Sequence, residues 1–394
     1  MSAGTLLTHL RIWDGERLLD ADSLRLEGFR IAAIGSGLVP GSADRVVDCA
    51  GATALPGLID AHVHLELDPE AARPPAPEDA RPPAALAARA AAMVQAGITT
   101  ARDLGGGSWT EIELRDRIAA GAMPGPRLLC AGQPVTSPGG HCHFWGGEAA
   151  DLPAAEAVLA RQVARRVDLI KVMATGGLFT RGSRPAAAQF DLPTLTGIVD
   201  AARRHGLPVA AHCHGTEGID FAARAGVRTI EHCSWLGADG WAANFDLEVA
   251  HTVRMAGVWI SPTVNAGWQR YLDAADPTRL QRIRGAFQTM DRLGIPFVAS
   301  TDAGIPGVFH HDLPRALAVF GRIMEWAPER VLVSATSAAA RALGLDHVIG
   351  RLAPGRVADL LLVDGDPLAD LGALLRPIQV WARGRPMRPD APIR

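Results

Sequence analysis

The sequence predicts an α/β fold: a (β/α)8 TIM barrel carrying a small β-sandwich-like domain built from both chain ends. Three observations point there. Through the middle of the chain, β-rich runs alternate with helical patterns eight times. Residues of metal-ligand type sit at the C-terminal ends of several of these runs. Both chain ends, unlike the middle, alternate in period two.

Taken in order, residues 5–52 alternate with turn signals in WDGE, EGF and GSG, as in a small antiparallel sheet. Candidate barrel strands follow at 53–64, 98–104, 127–132, 168–174, 208–213, 228–233, 258–264 and 296–301. Between them lie amphipathic or Ala-rich stretches such as LPAAEAVLARQVARR and DLPTLTGIVDAARRHG, with a last helix near 328–343. Several of these stretches end in Gly, the usual helix stop. Residues 347–394 return to period two, and neither end is long enough for a core of its own. The expected division is therefore 1–56 and 347–394 for one β-domain, with the barrel at 57–346 inserted between them. An open doubly wound sheet is the competing architecture. The ligand-type residues close the first, fourth, fifth, sixth and eighth strands, and only a ring brings those ends together. The proline-rich stretch 69–83 interrupts the first β-to-α connection and lies at the barrel mouth, as a lid or a passive loop.

Composition narrows the class. A hydrophobic content of 48% with 21% charged residues describes an ordinary soluble globular protein. The net charge of −3 gives no electrostatic reason to expect nucleic acid or an anionic membrane as partner. The first twenty residues, interrupted by Arg11, Asp14 and Glu16, do not read as a signal peptide. Five cysteines, an odd number with three beside histidines, form no disulfide framework and fit a reducing cytoplasm. The expected partner is a small-molecule substrate; the sequence leaves monomer and homo-oligomer both open.

Of the 39 lysines and arginines, a single one is lysine, Lys171. A chain that writes its cations as Arg keeps Lys where a guanidinium cannot substitute: in a Schiff base, or in the carbamate a neutral amine forms with CO2. The flanks Leu169, Ile170, Val172 and Met173 read as a buried strand. HVH (His62 to His64), AHCHG (212 and 214 being His), EHC (with His232) and STDAG (with Asp302) surround it with metal-ligand types. That favours the carbamate, an anion able to hold one metal on each oxygen. His62 and His64 are two apart, so both face one way on a strand. Two divalent ions bridged in this way share a hydroxide that is nucleophilic at neutral pH, and Asp302 can pass its proton to a leaving amine.

These motifs, with TTARDLGG, GGHCHFWGG, IKVMATGG and the closing IGRLAPGRVADLLLVDGDPL, resemble the amidohydrolase superfamily over nearly the whole chain. Within it the chain is similar to the imidazolonepropionase-like and prolidase-like branch. The resemblance implies His62 and His64 on the more buried metal with Asp302, His212 and His232 on the second, and carboxylated Lys171 bridging both. It implies a hydrolase of C–N bonds or related esters, usually with zinc; Mn2+, Co2+ or Fe2+ suit the same donors. True imidazolonepropionases of this superfamily have one metal and no bridging lysine, so Lys171 argues against that activity. In related enzymes a histidine of the loop after the third strand reaches the scissile carbonyl, which points to His141.

Further candidates are Asp103, which either orients a ligand or substrate or merely caps a turn, and His143, His214 and Trp145 as substrate contacts. Arg181 and Arg184 are candidates for a substrate carboxylate, against a solvated surface role. Trp145, Trp235 and Trp268 follow strand ends and suit an apolar pocket, or ordinary packing. Cys213 and Cys233, each beside an inward histidine, should face the helices instead. The leading reading is hydrolysis of an amide, dipeptide, N-acyl amino acid, carbamate or urea. The alternatives are a lactonase or phosphotriesterase-like ester hydrolase on the same binuclear centre and, from another class, a non-catalytic barrel scaffold.

Overall fold

The computed structural model describes residues 4–71, 73 and 82–387. Six short strands come first: β1 (Gly4–Thr8), β2 (Arg11–Ile12), β3 (Ser23–Glu27), β4 (Arg30–Gly35), β5 (Arg45–Asp48) and β6 (Thr53–Pro56). Seven follow in alternation with helices: β7 (Leu58–Val63), β8 (Ile98–Asp103), β9 (Arg127–Cys130), β10 (Ile170–Met173), β11 (Val209–Cys213), β12 (Thr229–His232) and β13 (Trp259–Ser261). The intervening helices are α1 (Pro83–Gln95), α2 (Thr110–Ala119), α3 (Leu152–Ala164), α4 (Leu192–Arg204), α5 (Thr216–Ala225) and α6 (Leu247–Ala256). Beyond β13 lie α7 (Gln269–Leu272), α8 (Thr278–Arg292), α9 (Leu313–Met324), α10 (Pro328–Ser334) and α11 (Ser337–Ala342). The described chain closes with β14 (Leu360–Val363), β15 (Pro377–Ala382) and β16 (Arg385–Pro386).

Local chemistry explains the starts of helices. α3 and α4 both begin Asp-Leu-Pro: Asp151 accepts from the Ala154 N–H and Asp191 from the Thr194 N–H, each at 2.9 Å. The Asp caps an orphan donor, and the proline sits in the first turn, where no N–H is needed. α4 then buries Leu195, Ile198, Val199 and Ala202 against the strands. Burying each of the three larger side chains, Leu195, Ile198 and Val199, contributes roughly 1.5–3 kcal/mol.

The strands between helices form two parallel sheets, β7-β8-β9 and β10-β11-β12-β13. Single bonds through Val135 join β9 to β10, its N–H donating to Lys171 O at 2.9 Å and its carbonyl accepting from Met173 at 2.8 Å. The expected eighth strand, 296–301, forms no ladder. It passes between β13 and β7, with Val298 N–H donating to Ile260 O and Asp302 N–H to His62 O, both at 2.9 Å. Pro296 has no N–H to give. Asp60 takes both the Thr301 N–H (3.1 Å) and its hydroxyl (2.6 Å), so a side chain replaces the ladder there.

Three further boundaries differ from expectation. The run 53–64 is two strands, because β6 pairs with β14 and β2 while β7 pairs with β8. The chain changes sheets at Gly57, where a Cβ would stand 2.1 Å from the Thr99 hydroxyl, so only glycine passes. Residues 5–52 are not purely antiparallel: β1 runs parallel to β5, in a sheet ordered β4-β3-β1-β5, while β2 joins the sheet β16-β15-β14-β6-β2. The helix expected at 328–343 breaks at Thr336, whose hydroxyl bonds back to Leu332 O at 2.7 Å. Leu7, Leu24 and Leu26 from one chain end share an apolar cluster with Leu360, Leu362 and Trp381 from the other. Most of the 69–83 stretch, for which a lid was considered, lies outside the described residues. Among those described, no helix is long and apolar enough to cross a membrane.

Candidate metal centre

The C-terminal ends of the parallel strands open on a cavity of about 530 Å³. His62, His64, His141, Lys171, His212, His214, His232 and Asp302 all line it. They come from five strands, β7, β9, β10, β11 and β12, or the loops just after them, and from the 296–303 segment, which is why residues far apart in sequence share one space.

His62 and His64 bring their Nε2 atoms within 3.2 Å of each other. Asp302 Oδ1 lies 3.3 Å from the first and 3.4 Å from the second. The opposite face of His62 is fixed by charge: its Nδ1 stands 3.0 Å from Glu231 Oε2. Glu231 is fully buried and its other oxygen accepts from Arg102 at 2.8 Å. Burial alone would raise the Glu231 pKa, but the Arg102 guanidinium and His62 hold it well below the usual carboxylate range. Burial, with the Lys171 charge second, lowers His62 to about 4. At neutral pH the pair is thus a neutral imidazole donating Nδ1–H to an ionised carboxylate, which leaves Nε2 to face the cavity. His64 is oriented by Gly105 O, 2.9 Å from its Nδ1.

The second group is built from neutral partners. His212 Nε2 bonds Gly176 O at 3.0 Å, His214 Nδ1 the Ser234 hydroxyl at 2.8 Å, and His232 Nδ1 the Thr263 hydroxyl at 2.9 Å. One nitrogen from each of His212, His214 and His232 lies within 4.8 Å of the other two, and the same spacing holds for a nitrogen of His62, a nitrogen of His232 and a carboxylate oxygen of Asp302. Lys171 is 1% exposed, and burial above all lowers its pKa. Asp302 is pushed up by burial, yet the surrounding imidazoles outweigh that and its net shift is downward. His232, Thr263 and Asp302 adopt positive φ (65°, 53° and 61°), backbone strain of the kind that gathers where side chains must be aimed.

His141 lines the cavity with its ring 4.5 Å from that of His212. Its Nδ1 bonds the Thr180 hydroxyl at 2.9 Å, and burial lowers its pKa to about 3. Gly177 is required there, since a Cβ would fall 2.3 Å from His141 Nε2. Trp145 lies 5.2 Å from the His64 ring. His143 does not reach the cavity; it sits partly buried in a short turn beside Phe144. Arg181 and Arg184 are exposed and do not line it either. Trp235 packs on Phe245 instead of the cavity, and Trp241 stands on the wall with Trp268. Asp103 caps turns, accepting from Leu65 N–H (2.8 Å) and Gly105 N–H (2.9 Å) on either side of His64. Cys213 points to α5, its thiol 3.6 Å from Gly218 O, and all five cysteines are unpaired and buried. The sequence reading missed Arg102, the role of Glu231, Trp241 and Arg270.

A family model, the amidohydrolase family, matches residues 53–387. The chain belongs to the amidohydrolase family. This amidohydrolase is 27% identical over 329 residues to ochratoxinase of Aspergillus niger, a match covering 74% of this chain and 66% of that protein's length. The solved A. niger ochratoxinase superposes with a TM-score of 0.81 at 22% identity, over 100% of this chain and 99% of that one. A Xaa-Pro dipeptidase solved with bound methionine in the active site superposes at 0.85 with 25% identity, covering 97% and 99%. Imidazolonepropionase of Chloroflexus aggregans is 28% identical over 180 residues, 45% of this chain and 38% of that protein.

Proposed function

We propose that this amidohydrolase is a metal-dependent enzyme that hydrolyses a C–N bond of amide, dipeptide, N-acyl amino acid, carbamate or urea type. One observation carries the reading: seven imidazole or carboxylate side chains and a buried lone lysine face a single cavity. The donor set fits divalent cations: ligand atoms of His62, His232 and Asp302 lie within 4.8 Å of one another, as do those of His212, His214 and His232, and burial keeps the His62 imidazole neutral at neutral pH. His62, His64 and Asp302 would hold one ion, and His212 and His232 a second. Lys171, carboxylated by CO2 with loss of a proton from its neutral amine, would contact both. Bound ions, zinc foremost and Mn2+, Co2+ or Fe2+ in its place, supply Lewis acidity that activates water and polarises the scissile carbonyl.

The chain's own groups do the rest. Asp302 takes the proton of the attacking water and returns it to the leaving amine. His141, held by Thr180, donates to the carbonyl oxygen as charge develops there. His214 and Trp145 border the substrate. The parallel strands and the 296–303 segment act as the closed barrel that keeps these groups in register, with the β-domain of 1–56 and 347–394 as its support. Unpaired buried thiols support a cytoplasmic setting.

Metal analysis after growth with zinc or manganese tests the centre. Two ions per chain are expected, and fewer than one would sink the proposal. Lys171→Ala should lose an ion and nearly all activity, with partial rescue by short carboxylic acids; full activity without the lysine removes the bridge. A panel of N-acyl amino acids, dipeptides, carbamates and ureas beside lactones and p-nitrophenyl esters separates C–N from ester hydrolysis.

A further inference from the structure

We infer that Arg270, clamped on Tyr271 at the cavity, anchors a free carboxylate of the substrate. The substrate class becomes N-acylated amino acids or dipeptides with an apolar, ring-sized body, in preference to uncharged amides. The inference rests on the C–N hydrolase reading and narrows it.

Two cationic side chains line the cavity, Lys171 and Arg270. Lys171 is buried, whereas Arg270 is exposed to solvent. No carboxylate among the described residues pairs with Arg270, although Arg102 holds one and Arg115 and Arg351 hold two each. The Arg270 side chain is nonetheless held in place. Its Nη2 donates to the Tyr271 hydroxyl at 3.0 Å, and its guanidinium carbon stands 4.8 Å over that ring. Tyr271 is the single tyrosine of the chain. One N–H is thereby used, and the remaining donors of a planar fork stay open for a two-oxygen anion.

The aromatic wall beside it runs towards the metal-type residues. Tyr271 meets Trp268 edge to face at 5.4 Å, Trp268 meets Trp241 at 5.0 Å, and Trp241 meets His214 at 5.8 Å. Asn265 fixes the start of this loop: its amide donates to Thr301 O at 3.2 Å and its carbonyl accepts from Gly267 N–H at 3.0 Å. Leu178, Phe179 and Ile305 also line the cavity. A substrate with its scissile carbonyl at the histidines therefore has apolar surface along its length and a cation at the rim. An uncharged amide gains nothing from that cation.

The test uses ligands that resist hydrolysis: the ketomethylene isostere of N-benzoyl-phenylalanine and its primary carboxamide. Both are titrated into the metal-loaded protein while tryptophan fluorescence reports on the wall. Wild type should favour the acid by roughly 10- to 100-fold, the range for a hydrogen-bonded charge pair. Arg270→Met should abolish that preference and leave carboxamide binding unchanged; Arg270→Lys should keep part of it, and Tyr271→Phe should lose less than Arg270→Met. An unchanged preference in Arg270→Met, an equal loss for acid and carboxamide, or no binding of the acid to wild type each overturns the anchor. Hydrolysis of N-benzoyl-phenylalanine is assayed separately. Absence of turnover with Arg270-dependent binding intact counts against the hydrolase reading and leaves the anchor standing.

Discussion

The two imidazole groups of the cavity are held by different chemistry. His62 hangs on an ionised carboxylate, Glu231, which is itself locked to buried Arg102. His212, His214 and His232 are steadied by a carbonyl and two hydroxyls. A carboxylate behind an imidazole sets its tautomer and raises its basicity, whereas a neutral oxygen only orients it. On the proposed two-ion reading, the His62 side would hold a cation tightly and the His212–His232 side would hold one exchangeably. Such a centre, with one firm and one labile half, would lose metal in two steps.

Glu231→Gln should produce the largest break in this comparison. Metal affinity on the His62 side is expected to fall roughly 10- to 100-fold, as for other outer partners of metal-ligating histidines. The substitution also strands Arg102 without its counter-charge, costing about 3–5 kcal/mol of stability. Chelator competition reads the first effect and thermal unfolding the second. Adding Arg102→Met should restore stability but not affinity, which separates the two roles. If metal is lost first from wild-type protein on the His62 side, the assignment of firm and labile halves is reversed.

Thr263→Val removes the hydroxyl behind His232 and should cost less. A neutral hydrogen bond contributes about 1 kcal/mol, so the labile ion should be weakened about fivefold, with the firm one untouched. The same chelator titration checks it. An effect equal to that of Glu231→Gln would mean that charge behind the imidazole makes no difference here.

Much of this gathering of side chains was legible in the sequence, and the gaps have physical causes. His62, His64, His212 and His232 stand at the ends of β-rich runs that alternate with Gly-stopped helical patterns, so a parallel α/β order predicts that they meet. Glu231 was hidden because alternation along β12 puts it on the face opposite His232. The chain defeats that rule by taking positive φ at His232 and Cys233, which turns neighbours of opposite parity to one side. Arg270 was hidden for another reason: it lies in α7, a single helical turn outside the regular alternation of strands and helices, and nothing in the sequence separates one arginine of so many from the rest. The eighth strand was over-read because the pattern PFVAST carries β-propensity but not the facts that Ala299 N–H turns to Ser334 O and that Asp60 claims both Thr301 donors. Propensity describes a segment alone; tertiary bonds decide whether a ladder forms.

The smallest expected effect probes the backbone on the firm side. His310, 2% exposed, donates its Nε2–H to His64 O at 3.0 Å and so steadies the segment that carries His64. Burial lowers its pKa from 6.5 to about 4, despite the opposing pull of that bond. Between those two values the unfolded chain binds a proton that the folded chain refuses. This residue's contribution to stability is therefore intact above 6.5 and declines as pH falls towards 4, by at most about 1.4 kcal/mol per pH unit. A cation held by His64 pushes the same way, so metal loading does not reverse the sign. His310→Gln keeps an amide donor for the His64 carbonyl and removes the titration. Urea unfolding of both proteins from pH 7.5 to 4.5 should give near-equal stability at the upper end and a shallower decline in the variant. Taking the difference cancels the other buried histidines. A variant whose curve runs parallel to wild type would mean that His310 is protonated in the fold, and the His64 side would then carry a buried positive charge that repels the cation it is built to hold.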